Sequence, residues 1–351
     1  MEYLSAIKIP VGPWAKALVD WLTTNASGLF DTIAVGLEAV IDAILAVLQV
    51  SGPLVALAIL VAVLALVLAR SRPPVAARLA VAAVALLVAQ MIVGLVPGAG
   101  AVAAWPEAVE DAAASFTPFL VIAFAGALAH ALHRSLPLAA FTVGSLLFIG
   151  NQGYWDETTE TLALVLASAF VCMAIGVPIG IASARRPWLA SALRPVLDLM
   201  QTIPTFVYLI PALILFGLGM VPGLIATVIF ALPAPIRLTQ LGVASTPTAL
   251  VEAADSFGAT PWQRLVKVEI PYALPQILAG LTQTIMLSLS MVVIAALVGA
   301  DGLGVPVLRA LNSVNIAMGF TAGLAIVLIA IVLDRLCRAD QRAGGAKGAG
   351  R

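Results

Sequence analysis

The chain has 351 residues, 62% of them hydrophobic and only 10% charged, with a mean hydropathy of +1.09. So little polar surface excludes a soluble globule of this size, and a formal net charge of zero argues against a nucleic-acid partner. Cys172 and Cys337 stand far apart, give neither a disulfide framework nor metal-ligand spacing, and read as apolar filler and a free thiol.

Runs near twenty apolar residues recur, and a helix needs about 20 to cross a hydrocarbon core of roughly 30 Å. Lipid satisfies no exposed backbone group, and the alternating pattern of a membrane barrel is missing. The predicted fold is therefore all-α and polytopic.

The start, MEYLSAIKIPVGPW, lacks a positive stretch followed by an apolar core, so no cleavable signal peptide is expected. Residues 1–50 form an amphipathic N-terminal region. Trp14, Leu18, Trp21 and Leu22 recur at helical spacing, as do Leu29, Phe30, Ile33, Leu37, Val40, Ile41, Ile44 and Leu48, with Asp20, Asp31, Glu38 and Asp42 between them. That pattern suits helices lying on a membrane face with Trp at headgroup level, or helices packed on the rest of the protein.

Nine spans are expected, at 52–69, 75–96, 117–132, 136–150, 161–183, 198–219, 223–240, 276–298 and 317–335. Pro233 and Pro235 are positioned to kink or end the seventh. His130 and His133 share a helix face without further ligands and read as an interfacial pair, with no metal site expected. Gly176 and Gly180 form a GxxxG suited to helix packing.

Lys and Arg of short loops mark the cytoplasmic side. Arg70, Arg72, Arg78, Arg134, Arg185, Arg186, Arg194, Arg237, Arg264, Lys267 and the Arg and Lys residues after the ninth span all fall on one side. The alternate loops carry Glu107, Glu110, Asp111, Asp156, Glu157 and Glu160, with Arg309 the exception. This places the N-terminus outside and the C-terminus inside.

On that assignment the segment VEAADSFGATPWQRLVKVEIPYALP, residues 251–275, faces the cytoplasm. A short helix over 252–257, a turn at Gly258 needing positive φ, an N-cap at Thr260 with Pro261 first in a second helix, and a break near Pro271 are predicted. Two short helices meeting at a glycine make a compact knob.

The spacing of that knob is Glu252-Ala253-Ala254, three residues, Gly258, nine residues, then Val268-Glu269-Ile270-Pro271. It resembles the EAA signature of the membrane subunits of ABC importers, with Val268 and Ile270 in place of the usual Ile and Leu. The stretches WDETTETLALVL, LMQTIPTFVYLIPALILFGLGMVPG, VIFALPAPIRLTQLG, SLSMVVIAALVGADGLG and IVLDRL extend the resemblance to permease subunits of the ProW type, the glycine betaine and proline betaine importers. Two spans more than that type carries fall within residues 52–116.

The resemblance implies a type I ABC importer transmembrane fold, and together with composition and hydropathy it gives an organisation in four parts. These are the N-terminal region 1–50, additional transmembrane helices 51–150, a core permease domain 151–336 with the coupling loop 245–275, and a basic flexible tail 337–351. It implies a multi-pass protein of the bacterial cytoplasmic (inner) membrane, paired with a second copy of itself. Its other partners are a cytoplasmic ATP-binding subunit dimer, an extracytoplasmic substrate-binding protein and membrane lipid.

No G-x-x-x-x-G-K-[ST] occurs, so ATP and Mg belong to the ATPase partner; no cofactor and no catalytic residue is expected in this chain. The ATPase-coupling residues implied are Glu252, Ala253, Ala254, Gly258, Pro261, Arg264 and Pro271. Ala253 and Ala254 allow deep seating, while Glu252, Arg264 and Lys267 supply rim charge pairs.

Quaternary ammonium is best held in an aromatic cage, yet aromatics are 6% of the chain and do not cluster in the late spans. Selection then falls to the binding protein, and the membrane passage is weakly polar. Its candidates are Gln201, Thr202, Thr205 and Tyr208 on the sixth span, and Gln283, Thr284, Ser288 and Ser290 on the eighth, although Ser and Thr also bond their own helix backbone. An outer turn or re-entrant segment is expected at 299–304, with Asp301 and Arg309 placed either to pair or to meet the binding protein. Choline or carnitine as cargo, an ion-gradient-driven secondary transporter and a non-transporting scaffold stand as alternatives.

Overall fold

The computed structural model describes residues 11–49, 58, 61 and 107–337. The expected spans at 52–69 and 75–96 and the tail from 338 lie outside the described residues, apart from 58 and 61, which are helical.

Two N-terminal helices, α1 (Val11–Asn25) and α2 (Ser27–Leu48), part at Ala26. They differ in how far they are buried against the bundle. In α2, Ile41 is buried among Ala163, Leu164, Ala167, Leu224, Ala295 and Ala300, flanked by Leu37, Val40, Ile44 and Leu45. Phe30 meets Phe216 edge-on, with centroids 5.5 Å apart, and Gln49 Nε2 donates to Thr159 Oγ1 at 3.0 Å. In α1, by contrast, Trp14, Leu18 and Trp21 stay exposed.

Next come α3 (Glu107–His133) and α4 (Leu136–Asn151), the latter started by a Ser135 cap with a proline in the first turn. A long helix, α5 (Trp155–Arg185), carries Asp156 and Glu157 in its first turn and Arg185 in its last, matching the helix dipole at both ends.

The stretch expected as one span at 198–219 is instead a broken pair, α6 (Pro187–Thr202) and α7 (Thr205–Phe216), bent by 92°. Pro204 explains the break: its ring disfavours helical backbone at Ile203, which is extended at φ −65°, ψ 129°. At Pro233 the outcome differs. Helices α8 (Met220–Ala231) and α9 (Pro233–Ala244) join through a helical Leu232 into one apolar stretch of 25 residues.

After α10 (Thr248–Ser256) and α11 (Pro261–Arg264), a π turn at Leu265–Glu269 leads into α12 (Ile270–Ala296) without interruption. The break expected near Pro271 is therefore absent. The π turn bonds Ile270 N–H to Leu265 O, five residues back, and this wider turn lets the proline enter at the start of the next helix, where no N–H is required of it. Helices α13 (Gly304–Asn312) and α14 (Ile316–Cys337) complete the described chain.

Among the described residues, four helices are long and apolar enough to cross a membrane: Trp155–Arg185, Met220–Ala244, Pro261–Ala296 and Ile316–Cys337. The bent pair α6 and α7 adds a fifth if counted as one, and Pro118–His133 and Leu136–Asn151 are shorter apolar helices. No strand occurs among the described residues.

Small residues bring the central helices together. A Cβ on Gly176 would lie 2.8 Å from Pro235 Cγ, and one on Gly180 would lie 2.6 Å from Thr239 Cβ and 2.8 Å from Ile236 O, so the GxxxG of α5 packs directly on α9. Gly180→Val is accordingly expected to destabilise the fold by about 1–3 kcal/mol through overpacking. Thermal unfolding in detergent checks this, with Gly144→Ala, where a Cβ meets nothing within 4 Å, as the unchanged control.

The bundle has two unlike poles. At one, Leu303 N–H is shared between Glu157 O at 3.1 Å and Thr161 Oγ1 at 2.8 Å, and Gly219 N–H bonds Val298 O at 2.9 Å. Gly302 sits there at φ +120°, and a Cβ on it would strike Thr161 Oγ1 at 2.6 Å. Asp156, Glu157, Glu160 and Asp301 belong to this pole; Asp301 and Arg309 are not paired with each other. Arg185, Arg186, Arg264 and Lys267 gather at the opposite pole, around the start of the α11–α12 stretch.

Candidate functional site

The knob of residues 248–271 stands at the basic pole. Helix α10 ends in a Schellman turn: Gly258 N–H bonds Asp255 O at 2.9 Å and Ala259 N–H bonds Ala254 O at 3.1 Å, with Gly258 at φ +75°. Thr260 then opens α11 with a capping box. Its Oγ1 accepts from Gln263 N–H at 3.3 Å, and Gln263 Oε1 accepts from Thr260 N–H at 2.9 Å. Back-to-back caps at 258–260 make the turn a fixed shape rather than a loose loop, and Pro261 holds the first helical position.

Glu252 and Ala253 are exposed on α10, Ala254 is half-buried, and Pro271 is exposed at the start of α12. Arg264 departs from the expected rim role. Its Nε bonds Glu269 Oε1 at 3.0 Å and its Nη1 bonds Asp255 Oδ2 at 2.9 Å, so it is engaged within the chain. Glu269 is 6% exposed, and its second oxygen accepts from Arg185 Nη2 at 2.8 Å.

The knob's most exposed apolar groups are Phe257, 93% exposed, and Trp262, 71% exposed. Sequence reasoning passed over both. The available signal was an aromatic residue on either side of Gly258 in a polar loop, where burial in the same chain has nothing to offer.

The passage candidates divide. Gln201 Oε1 accepts from Arg237 Nη1 at 3.2 Å, and Arg237 also pairs with Asp198. Arg237 therefore lies within α9 facing α6, not in a loop as its use for orientation assumed. Beside this group, Ser191, Arg194, Asp198, Arg237 and Gln240 line a cavity of about 470 Å³ between α6 and α9. Asp198 and Gln201, three apart, share a helix face, which lets both reach Arg237.

Thr202 is exposed and bonds Leu199 O of its own helix at 3.4 Å, and Thr205 begins α7 half-buried. Tyr208 packs against the cluster of Leu209, Ala226, Met291 and Val298, with its hydroxyl buried and unbonded. On α12, Gln283 is exposed, whereas Thr284 and Ser288, one turn apart, both face the protein interior. Thr284 Oγ1 bonds Gly280 O at 2.8 Å and Ser288 Oγ has no partner. The α12 candidates thus do not share one face. Because Ser288→Ala removes an unbonded buried hydroxyl, it is expected to leave uptake within about twofold of the parent and the melting temperature unchanged or higher, read by transport assay and thermal unfolding.

Comparison with known proteins follows the same stretch of chain. The family model described as binding-protein-dependent transport system inner membrane component matches residues 176–341, which takes in the knob and the helices on both sides of it. The glycine betaine/carnitine transport permease protein GbuB of Listeria monocytogenes serotype 1/2a (strain 10403S) is 54% identical over 202 residues, 58% of this chain and 72% of that protein. The glycine betaine transport system permease protein OpuAB of Bacillus subtilis (strain 168) is 51% identical over 199 residues, 57% of this chain and 71% of that protein. The glycine betaine/proline betaine transport system permease protein ProW of Escherichia coli (strain K12) is 50% identical over 207 residues, 59% of this chain and 58% of that protein.

Proposed function

Since this chain belongs to the family of binding-protein-dependent transport system inner membrane components, we propose that it is the membrane permease subunit of an ATP-driven importer whose cargo is glycine betaine or proline betaine. The observation that carries the reading is the knob: a rigid double-capped turn at the basic pole, offering Phe257 and Trp262 to a partner. Two copies of this chain form the passage, a cytoplasmic ATPase dimer grips the two knobs, and an extracytoplasmic binding protein delivers cargo to the acidic pole. ATP and Mg²⁺ are held by the ATPase.

The opposite charge of the two poles supports the orientation, which with nine spans puts the N-terminus outside and the C-terminus inside a bacterial inner membrane. The exposed Trp14, Leu18 and Trp21 support α1 as a membrane-surface helix, with α2 as its attachment to the bundle.

In this mechanism, closure of the ATPase dimer on ATP draws the knobs together and turns the cavity outward. Cargo then enters from the binding protein, and hydrolysis with product release turns the cavity inward again. Gln201, Arg237 and Asp198 supply donors and acceptors of both signs at the inner end, suited to passing a zwitterion without holding it tightly.

Uptake of labelled glycine betaine into liposomes containing the three partners is expected to require internal ATP. Uptake that survives ATP depletion but is lost with an ionophore would overturn the reading in favour of an ion-gradient carrier, and no uptake with every partner present would favour a scaffold. Carnitine is the second cargo reading, favoured by the name of the GbuB relative; competition by unlabelled carnitine, choline and proline betaine ranks the cargoes.

A further inference from the structure

Helix α10 has no fully buried residue, and only Val251 and Ala254 are half-buried, so apolar packing fixes it weakly to the bundle. What joins it more firmly is a chain of charges running through α10, α11, the π turn and α5. Asp255 on α10 accepts from Arg264 Nη1 at 2.9 and 3.2 Å, Arg264 Nε donates to Glu269 Oε1 at 3.0 Å, and Glu269 Oε2 accepts from Arg185 Nη2 at 2.8 Å. Arg185 also reaches Pro261 O at 3.5 Å.

Glu269 is the centre of this chain. Its carboxylate is almost fully withdrawn from solvent, and a charge so placed requires both guanidinium partners, which holds their geometry tightly. Arg185 ends α5, a helix of 31 residues and thus about 46 Å long. The first turn of that helix receives Leu303 N–H from the 299–304 turn at the far pole.

We propose that the Asp255–Arg264–Glu269–Arg185 relay is a positioning device that makes the knob, the start of α12 and the inner end of α5 move as one body, so that displacement of the knob reaches the opposite end of the passage. The proposal rests on the importer reading. Without the relay, the capped turn alone would tie α10 to the rest of the chain, α5 would no longer follow the knob, and less cargo would move for each ATP hydrolysed. The residues act through position alone; none contacts nucleotide.

The test uses the complete complex in liposomes and reads labelled glycine betaine taken up per ATP hydrolysed, together with retention of the ATPase subunit. Glu269→Gln, Arg185→Gln and Asp255→Asn are each expected to lower that ratio by roughly three- to tenfold. ATPase retention and hydrolysis stay within about twofold of the parent, a pattern that a merely structural defect does not produce. Asp255→Glu restores most of the ratio, and Arg185→Gln with Asp255→Asn is no worse than the poorer single variant, because both break the same chain.

A parental ratio in Asp255→Asn and Arg185→Gln overturns the proposal and leaves the importer reading standing. So does a parallel loss of uptake, hydrolysis and ATPase retention. Should Glu269→Gln fail to assemble, these two more exposed positions decide the matter. A parental complex that takes up no osmolyte overturns the importer reading, and the relay with it.

Discussion

Replacing Gly258 by valine is expected to lower ATP-driven uptake about tenfold or more while the protein still inserts and keeps its thermal stability. The glycine stands at φ +75°, and a Cβ there would meet nothing within 4 Å, so the penalty is conformational rather than steric. A left-handed backbone costs an ordinary residue roughly 1–2 kcal/mol, and a β-branched side chain is a worse fit still. The turn responds by leaving that conformation. It then loses the Gly258-to-Asp255 and Ala259-to-Ala254 bonds that set the angle between α10 and α11. Asparagine tolerates the left-handed region, so Gly258→Asn should retain most of the uptake. Transport by Gly258→Val at the parental rate would show that the angle of the knob does not matter, and would remove the main support for its docking role.

The second large effect concerns affinity. Phe257→Ala and Trp262→Ala are each expected to weaken binding of the ATPase subunit by about 2 kcal/mol or more, the range for a buried aromatic anchor at an interface; this is roughly thirtyfold in Kd for each. Neither change should lower the melting temperature of the isolated subunit, because both side chains lie in solvent there. Titration of the purified ATPase onto the permease in detergent or nanodiscs measures the effect directly. Unchanged affinity in the double variant would move the interface elsewhere on the basic pole. The relay variants differ in kind from these two: they leave binding in place and alter what binding accomplishes.

The contrast between Arg264 and its neighbours shows where sequence reasoning ran out. Gly258, Thr260 and Pro261 were legible because each acts on backbone groups within five residues, whereas the capping partner Gln263 was not singled out. Arg264 was read as a rim charge because its polarity and loop position say nothing about direction. Its orientation is set by Glu269, buried at the turn into α12, and Glu269 in turn is held by Arg185, 84 residues earlier. Gln201 was singled out for its polarity in an apolar run, yet its partner Arg237, 36 residues on, was assigned to a loop. Pro271 misled for a related reason. A proline in a helical pattern signals a break, and only the π turn over 265–269 shows how the backbone carries the helix through.

By itself the sequence determined that this is an all-helical membrane chain with a glycine-hinged knob and membership of a family of importer subunits. Hydropathy, helical period and capping residues act over a few neighbouring residues, and such signals survive in a linear string. The tertiary structure alone decided that α2 packs onto the bundle while α1 keeps its tryptophans exposed, that α6 and α7 meet at 92°, and that four charges from four elements close into one chain. Those outcomes depend on which helix faces lie against each other and on charges brought together from distant parts of the sequence. Both are set by close packing and by the cost of burying a charge without its partner.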